Sequence, residues 1–400
     1  MHLIYVTSSL PFSAGETFII AEILELRKRG HVVSVVPIRP ERKVNHSDAQ
    51  LLIGSTIREP ILSFNIIVAA LKEVLRAPML SFRSGLFLTK SRSFPVALKN
   101  LTILPKAMWV ARIARRKRAD HIHAHFASTN STAALLASAV SGIPWSFTAH
   151  RWDIYENNLL ATKLKSACFA RAIDRRGAQA LSRFAGGHYH KVRVIHIGVE
   201  MQHFETDAKP SPALRVLMAA RLDEIKGHRY ALEAVARLKK AGIKICLHCV
   251  GDGPLKSTLQ QYAVELDVMD EVHFPGLLDH QEILRQLCEH RWDVALLASI
   301  ENGNDHEGIP VFLIEAMAAG VAVVATNTGG ITELLEGGVG ILVRQQDPNS
   351  IADALVRLEK DRCLLRKLSV AGIRRVRGEY TVESTVSALL AEFRSSRRSG

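Results

Sequence analysis

The sequence has few cysteines, and they are not placed to build a disulfide or zinc framework. There are 5, an odd number. Cys246 and Cys249 form a C-x-x-C pattern, but they lie in a predicted strand, so their thiols should point to opposite faces of a sheet. A second C-x-x-C that could complete a tetrahedral zinc site does not occur. We interpret both residues as reduced and buried.

Signals for secretion or membrane insertion are also lacking. Residues 1–7 carry no basic stretch and instead have the pattern of a buried strand. The longest uncharged run, residues 126–149, is rich in serine and threonine and is broken by a Gly-Ile-Pro sequence. This pattern favours a helix followed by a strand over a membrane span. We therefore expect a cytoplasmic protein without an integral anchor.

Acidic residues are scarce in the first half of the chain. Residues 1–200 carry 28 Lys/Arg and 12 Asp/Glu, whereas residues 201–400 carry 24 and 27, and the whole chain has a net charge of +13. Residues 58–118 hold 13 basic and 2 acidic residues among apolar ones, with a predicted amphipathic helix over 98–118. This mixture suits the surface of an anionic membrane; a solvated helix face is the plainer alternative. Since no helix-turn-helix, RNP or zinc-finger pattern is present, we expect no nucleic-acid partner.

Strands alternate with helices through both halves, which predicts an α/β protein with two doubly wound parallel sheets. Five predicted strands of the second half are 214–219, 243–250, 272–274, 294–298 and 321–325. We expect Rossmann-like domains over 1–200 and 201–378. A final segment, 379–400, would hold a helix that crosses back to the first domain. Ligands of such sheets bind beyond the carboxyl ends of the strands, so we expect the chemistry in a cleft between the domains.

Two glutamates eight positions apart, Glu307 and Glu315, are the most informative pair. Pro310 suits the first position of a helix and Gly320 its end, which places Glu315 about two turns inside. The free N–H groups at the helix start favour an anionic ligand. Two acids beside an anion need other partners, such as hydroxyls, so the pair predicts a sugar attached to a phosphate. The alternative is one acid that balances the helix dipole and one on a solvated face.

Two loops at predicted strand ends carry further candidates. Arg221 and Lys226 follow strand 214–219 and could clamp a diphosphate, whose charge grows as it leaves; two ordinary surface cations are the alternative. Gly251 follows strand 243–250 in an incomplete G-x-G-x-x-G pattern, which indicates a structural turn near a nucleotide.

In the first half, His150 follows a predicted strand over 145–148 and is a candidate hydrogen-bonding group. Gly15 follows the first strand and permits close approach to a ligand. Glu16, just before the first helix, is interpreted as its cap. Alternating histidines on one strand face could hold a metal ion in a hydrolase if Asp153 or His150 joined them; these are His121, His123 and His125. We expect no metal.

These segments together resemble retaining GT-B glycosyltransferases of family four, of the bacterial colanic-acid and amylovoran exopolysaccharide type. The resemblance is carried by Glu307 and Glu315 with their flanks, by the R-L-x-x-x-K-G sequence of 221–227, by Thr148-Ala-His150 and by the loop after the first strand. There are two departures. Asp174 stands where such proteins commonly have serine or threonine, and the link from there to Gly198 is short.

The resemblance implies a GT-B fold and transfer of a hexose from a nucleotide-diphospho sugar, with UDP favoured, to a hydroxyl of a saccharide or lipid-linked saccharide. It also implies retention at the anomeric carbon and no cofactor or metal. Glu307 would bind the donor sugar and Glu315 the ribose, while His150 would face the donor sugar. Diphosphate binding would fall to Arg221, Lys226, Gly308, Ile309, Pro310 and Val311, and Gly15 and Gly251 would border the donor.

Three alternatives remain. A sugar-nucleotide 2-epimerase shares the same fold and needs no acceptor. A metal-dependent hydrolase would use the three histidines. A catalytically silent membrane partner of a polysaccharide complex would not need the intact set of Arg221, Lys226, Glu307 and Glu315.

Overall fold

The structure is a computed structural model that describes residues 1–12, 16–41, 48–61, 63–201, 211–303 and 306–398. Contacts divide the chain into two units. The first combines Met1–Gly198 with Val382–Gly400, and the second is Val199–Thr381. The sequence placed the domain boundaries after residues 200 and 378. The last helix, Val382–Arg398, belongs to the first unit.

The first unit is built on a six-stranded parallel sheet of order β2-β1-β3-β4-β5-β6. The strands are β1 His2–Thr7, β2 Val32–Pro37, β3 His121–His125, β4 Trp145–Ala149, β5 Ala170–Ala172 and β6 Val192–Val194. The helices are α1 Phe18–Lys28, α2 Phe64–Arg76, α3 Pro78–Leu86, α4 Phe94–Arg116, α5 Thr129–Ser141, α6 Trp152–Glu156, α7 Leu160–Ser166 and α8 Arg175–Ala185. Strands β3 and β4 are buried along their whole length, as expected for a parallel sheet covered on both faces.

The second unit holds another six-stranded parallel sheet, of order β12-β11-β10-β7-β8-β9. The strands are β7 Leu214–Ala219, β8 Ile245–Val250, β9 Val272–Gly276, β10 Val294–Leu297, β11 Ala322–Thr326 and β12 Ile341–Val343. The helices are α9 His228–Lys240, α10 Lys256–Glu265, α11 His280–Cys288, α12 Val311–Ala318, α13 Ile331–Leu334, α14 Pro348–Lys360 and α15 Arg362–Glu379. The predicted α/β class with two parallel sheets is confirmed.

The final helix, α16 (Val382–Arg398), packs its apolar face in the first unit. Its buried apolar residues lie in one cluster with α1 and strands β1 and β2; they are Val382, Val386, Leu389, Leu390 and Phe393. The sequence predicted this apolar face. Because the valine, leucine and phenylalanine side chains leave water together, their burial stabilises the attachment of the C-terminal segment.

Three local expectations need correction. Helix α12 begins at Val311, and Pro310 precedes it as the N-cap with an extended backbone (φ −70°, ψ 122°). Glu315 is therefore about one turn inside the helix, not two. Cys246 is only half-buried, whereas Cys249 is buried, because successive residues of β8 alternate between the two faces of the sheet.

Within the described part of the chain, none of the helices combines the length and apolar character needed to cross a membrane.

Candidate functional site

An ion pair between Lys226 and Glu307 lies at the carboxyl end of the second sheet. After β7 the chain forms a short 3-10 turn, Glu224–Lys226. The N–H of Ile300, just beyond β10, donates to the carbonyl of Ile225 at 2.8 Å, which fixes the turn beside the neighbouring strand end. The Lys226 ammonium contacts the Glu307 carboxylate, and their side chains are 23% and 6% exposed. The cation and the acid predicted for the donor are thus brought together.

Gly227 permits this approach. Its φ is +67°, and a Cβ atom built there would lie 1.9 Å from the carbonyl oxygen of Ala298. Any other residue would push the turn away from β10, because that contact is far inside van der Waals range. The glycine that follows Lys226 in the sequence motif therefore has a steric reason.

The Glu307 loop is held by two contacts that the sequence did not indicate. The hydroxyl of Ser299, just after β10, donates to Oε1 of Glu307 at 3.0 Å. The N–H of Gly330 donates to the Glu307 carbonyl at 3.1 Å, and a Cβ at Gly329 would lie 1.7 Å from that oxygen. The position of Ser299 at a strand end was the available signal. These contacts orient the carboxylate before any ligand arrives.

Glu315 pairs with a histidine that sequence reasoning missed. Nε2 of His280 lies 2.7 Å from Oε1 of Glu315. His280 is the first residue of α11, whose N-cap, Asp279, accepts a hydrogen bond from the N–H of Gln281 at 2.9 Å. A histidine at the first position of a helix carries no motif, so only the fold reveals the contact.

The start of α12 presents free backbone donors, as predicted. In the described part of the chain, the N–H groups of Gly308, Ile309, Val311 and Phe312 donate none of the backbone hydrogen bonds found in turns, loops and helix caps. Pro310 has no N–H and only shapes the turn. The first N–H groups of any helix lack partners within it and attract anions.

Arg221 does not join the Lys226–Glu307 contact. Its side chain is 70% exposed, and its described ion pair is with Asp223, at 3.8 Å between Nε and Oδ2. The predicted clamp of two cations is therefore not assembled by the described contacts. An exposed guanidinium next to a loop remains able to turn toward a ligand.

Gly251 lies directly beside the Arg221 loop. The N–H of Ala220 donates to Val250 and that of Leu222 donates to Asp252, both at 3.0 Å. A Cβ at Gly251 would lie 2.1 Å from the carbonyl of Ala220. The glycine thus lets the two loops touch, which agrees with a structural role.

In the first unit, His150 follows β4 and its backbone is fixed by Asp153. The Asp153 carboxylate accepts hydrogen bonds from the N–H groups of His150 at 3.0 Å, Arg151 at 2.7 Å and Ala127 at 2.6 Å. Burial raises the pKa of Asp153, although these hydrogen bonds oppose the rise. Asp153 therefore stabilises the loop, and its carboxylate is already engaged by backbone N–H groups rather than presented to a metal ion.

The His150 ring is buried among aromatic side chains. Its centroid lies 4.9 Å from that of Phe18 and 4.5 Å from that of Phe126, and its Nε2 is 3.4 Å from Nδ1 of His125. Burial, with the neighbouring His125 and Arg171, holds the pKa of His150 well below its ordinary value. The ring is neutral at physiological pH and can offer one hydrogen bond, not a positive charge.

Behind His125 lies a buried pair, Glu22 and Arg171. Nη1 of Arg171 donates to Oε2 of Glu22 at 2.6 Å, and the Tyr5 hydroxyl donates to Oε1 at 2.7 Å. The other Arg171 nitrogens donate to the carbonyls of Ile195 and His196, each at 2.7 Å. Burial alone would raise the pKa of Glu22, but Arg171 and His125 keep it below its usual value. This network holds β1, β5 and α1 together.

The three histidines of β3 are all buried, and their partners disfavour a metal. Ser146 contacts Nε2 of His121 and Nδ1 of His123, both at 2.7 Å, and Thr148 contacts Nε2 of His123 at 2.9 Å. Ligand atoms of Glu22, His123 and His125 do lie within 4.8 Å of one another. Because Glu22 already holds a buried guanidinium, a cation there would meet like charge.

Two of the predicted residues, Gly15 and Glu16, lie between β1 and α1 in the sequence. Gly15 lies outside the described residues. The Glu16 carboxylate does not cap α1; it accepts hydrogen bonds from the N–H groups of Ser8 at 2.8 Å and of Ser9 and Leu10 at 2.7 Å. The interpretation as a helix cap was wrong, because these loop donors satisfy the buried carboxylate.

Asp174, by contrast, caps α8 through the N–H of Gly177, a role that serine or threonine also fills.

Comparison with known proteins now identifies the second unit. Residues 200–375 match the family described as Glycosyl transferases group 1. Residues 200–375 are a group 1 glycosyltransferase domain. This glycosyltransferase domain contains Lys226, Glu307 and Glu315, and it ends before α16.

Two curated relatives resemble part of the chain. WcaL of Escherichia coli strain K12, named for colanic acid biosynthesis, is 38% identical over 173 residues, which cover 41% of each chain. The amylovoran biosynthesis glycosyltransferase AmsK of Erwinia amylovora is 36% identical over 195 residues, 48% of this chain and 47% of that protein. The chain spans less than half the length of these curated relatives.

The whole chain resembles a solved structure in its fold. The crystal structure of HepE from Anabaena in complex with UDP has a TM-score of 0.72 with 17% identity, covering 99% of this chain and 100% of that one. At this identity the likeness shows the fold alone. That fold is GT-B, with two Rossmann-like domains, of which the second contains the glycosyltransferase domain.

Proposed function

We propose that this chain is a retaining glycosyltransferase. It moves a hexose from a nucleotide-diphospho sugar, with UDP the favoured carrier, to a hydroxyl of a saccharide or lipid-linked saccharide in bacterial surface polysaccharide synthesis. The observation that carries the proposal is the Lys226–Glu307 contact beside the free N–H groups of α12. The names of WcaL and AmsK support the polysaccharide, and the ligand named for HepE supports UDP.

The donor binds to three features of the glycosyltransferase domain. The N–H groups of Gly308, Ile309 and Val311 and the Lys226 ammonium receive the diphosphate, since each offers a donor to phosphate oxygens. Arg221, exposed beside them, supplies a second cation. When the phosphate takes Lys226, the Glu307 carboxylate becomes free to accept hydrogen bonds from the hydroxyls of the sugar.

Glu315 accepts hydrogen bonds from the ribose hydroxyls, and His280 orients its carboxylate. Gly251 borders the nucleotide as a structural element. In the first unit, His150 offers a neutral hydrogen-bonding group just after β4.

In the transfer step the acceptor hydroxyl attacks the anomeric carbon on the face that the diphosphate leaves. The bond from that carbon to the phosphate oxygen breaks, and the departing phosphate takes the proton of the hydroxyl. Lys226, Arg221 and the helix N–H groups stabilise the negative charge that develops on the leaving group. The configuration at the anomeric carbon is retained.

The direct test is a screen of UDP-, GDP- and ADP-sugars against the purified full chain. Thermal shift identifies the donor, and chromatography of the product with a saccharide or lipid-linked acceptor measures transfer. We expect a UDP-sugar to raise the melting temperature and to be consumed only when an acceptor is present. Epimerised donor without acceptor would instead show a 2-epimerase. Activity that a chelator abolishes and zinc restores would show a metal-dependent hydrolase.

We also propose that α2, α3 and α4 dock on an anionic membrane surface. Large apolar side chains on these helices face solvent, including Phe64 at 79% and Phe94 at 81% exposure. They flank an apolar groove of about 590 Å³ lined by Leu71, Val74, Met108 and neighbouring residues. Exposed basic side chains accompany them: Lys72, Arg76, Lys90 and Arg92. Apolar groups that enter a bilayer surface beside cations favour anionic lipids.

Sedimentation with vesicles tests this surface. The chain should bind vesicles rich in phosphatidylglycerol and not pure phosphatidylcholine vesicles, with affinity falling as salt rises. Replacing Phe64 and Phe94 by serine should weaken binding about tenfold or more. Leu277→Ser, an exposed apolar side chain in the second unit, is the matched control. Equal binding of all three proteins would contradict the proposal.

A further inference from the structure

Three metal-ligating side chains converge at one edge of the second sheet. Cys246 and His248 stand two residues apart in β8, so they share one face of the strand. His273 in the edge strand β9 is the direct register partner of His248. Cys246 and His248 are half-buried, whereas His273 is exposed. The register of two parallel strands, not proximity in sequence, assembles the cluster.

The ligand atoms are close together and unused. The Cys246 sulfur and one ring nitrogen from each histidine all lie within 4.8 Å of one another. The two rings have their centroids 4.6 Å apart. Within the described residues, none of the three side chains takes part in a hydrogen bond or an ion pair. Their donor atoms are therefore available to a ligand.

We propose that Cys246, His248 and His273 bind one divalent cation of the zinc class. Thiolate and imidazole together suit Zn²⁺, with bonds of about 2.3 Å to sulfur and about 2.0 Å to nitrogen. Tetrahedral geometry then places the ligand atoms about 3.5 Å apart, which small side-chain rotations can reach from the present separations. The Cys246 thiol gives its proton to solvent when the metal binds, and water fills the fourth position on the exposed His273 side.

The surroundings accept this charge. Arg215 is the register partner of Cys246 in β7, but its guanidinium is held by the Asp293 carboxylate, with Nη2 3.0 Å from Oδ1 and Nε 3.1 Å from Oδ2. The neighbouring cation is thus neutralised. The Trp292 ring packs edge-on against His248 at 4.7 Å between centroids and holds the imidazole orientation.

The site lies away from the proposed donor-binding residues. Cys246 and His248 precede Val250, where β8 ends next to Gly251, so a cation would link β8 to β9 within the sheet and not touch the donor. Binding should stabilise the second unit by mass action and leave transfer unaffected. The inference does not depend on the proposed function.

Metal binding is measured on the untagged full chain after treatment with a chelator. Titration with Zn²⁺ against a chromophoric competitor should show one equivalent, with a rise in melting temperature. Co²⁺ in place of Zn²⁺ should give a thiolate-to-cobalt charge-transfer band, which reports sulfur ligation. Absence of binding, or binding without that band, would overturn the proposal.

Variants locate the site. Cys246→Ser and His248→Ala should each abolish the single equivalent and the thermal shift, while circular dichroism of the metal-free proteins stays like that of the wild type. Cys363→Ser changes an exposed cysteine in α15 and should bind normally. One equivalent retained in both cluster variants would place the metal elsewhere and overturn the assignment.

Discussion

Each unit contains a glutamate paired with a cation near the end of its sheet, and the two pairs differ in what they leave unused. Glu22 and Arg171 are 6% and 1% exposed, and every nitrogen group of Arg171 has a partner among Glu22 and two backbone carbonyls. Lys226 is 23% exposed, and Glu307 is its described partner. A saturated buried pair holds a scaffold. A partly exposed ammonium with spare donors can exchange its partner for a ligand.

The largest effect should come from breaking the saturated pair. Glu22→Ala leaves Arg171 charged and buried without its partner, which should lower the free energy of unfolding by about 3–5 kcal/mol. Chemical denaturation of the first unit measures it. Glu289→Ala removes a solvent-exposed partner of Arg285 and should leave stability unchanged. Equal stability of Glu22→Ala and the wild type would mean that the pair is not structural.

Variants of the Lys226–Glu307 pair should lose activity and not stability. Lys226→Ala and Glu307→Ala should each reduce transfer on the order of 100-fold or more, because one loses charge stabilisation of the leaving group and the other the sugar contact. Initial rates with donor and acceptor measure this.

Arg229→Ala, a neighbouring exposed cation, is the matched control and should transfer at the wild-type rate. Circular dichroism of all three proteins should match the wild type. Normal turnover in either site variant would refute its assigned role.

Acid should destabilise the first unit through His121, a buried histidine of β3. Burial lowers the pKa of His121 to about 3. Histidine in the unfolded chain has a pKa near 6.5. Between pH 6.5 and about pH 3, the unfolded chain therefore binds a proton at this histidine and the folded chain does not. The free energy of unfolding falls as pH falls through this range. The contribution is about 1.4 kcal/mol per pH unit for one proton. His121→Gln should flatten the pH dependence of unfolding by that slope. An unchanged slope would show that His121 does not titrate this way.

The smallest effect on activity should come from breaking the contact between His280 and Glu315. His280→Ala should raise KM for the donor by about three- to tenfold with little change in kcat, because one hydrogen bond that orients Glu315 is lost. Steady-state kinetics at saturating acceptor measure it. A fall in kcat alone would place His280 in the chemical step instead.

The sequence was sufficient for the architecture, and it named Lys226 and Glu307, which the structure brings into contact. Hydrophobic runs between helical patterns predicted both parallel sheets, since strand and helix periods are local properties of the chain. The spacing of Glu307 and Glu315 and the position of Lys226 before a glycine were visible in the same way. Pro310 was misplaced by one position, because proline is compatible with both the N-cap and the first helical turn.

Contacts between distant strands could not be predicted. Ser299, His280 and Glu22 carry no motif, and the partners of His280 and Glu22 lie 35 and 149 residues away in the sequence. The approach of Arg221 to the donor loop was expected, but the side chain lies in solvent, because a guanidinium without a ligand gains more from hydration than from a second cation. Register alone brings His273 to His248.

By itself, the sequence determined the alternation of strands with helices, the apolar face of α16 and the residue types available at each predicted strand end, because these depend on local periodicity and turn chemistry. Only the tertiary structure decided which charges meet and how deeply they are buried. Glu22 and Glu307 are the same residue type in the sequence. Both carboxylates are 6% exposed, but the cation paired with Glu22 is 1% exposed and the cation paired with Glu307 is 23% exposed. The burial of each cation and the number of its partners arise from packing between distant segments.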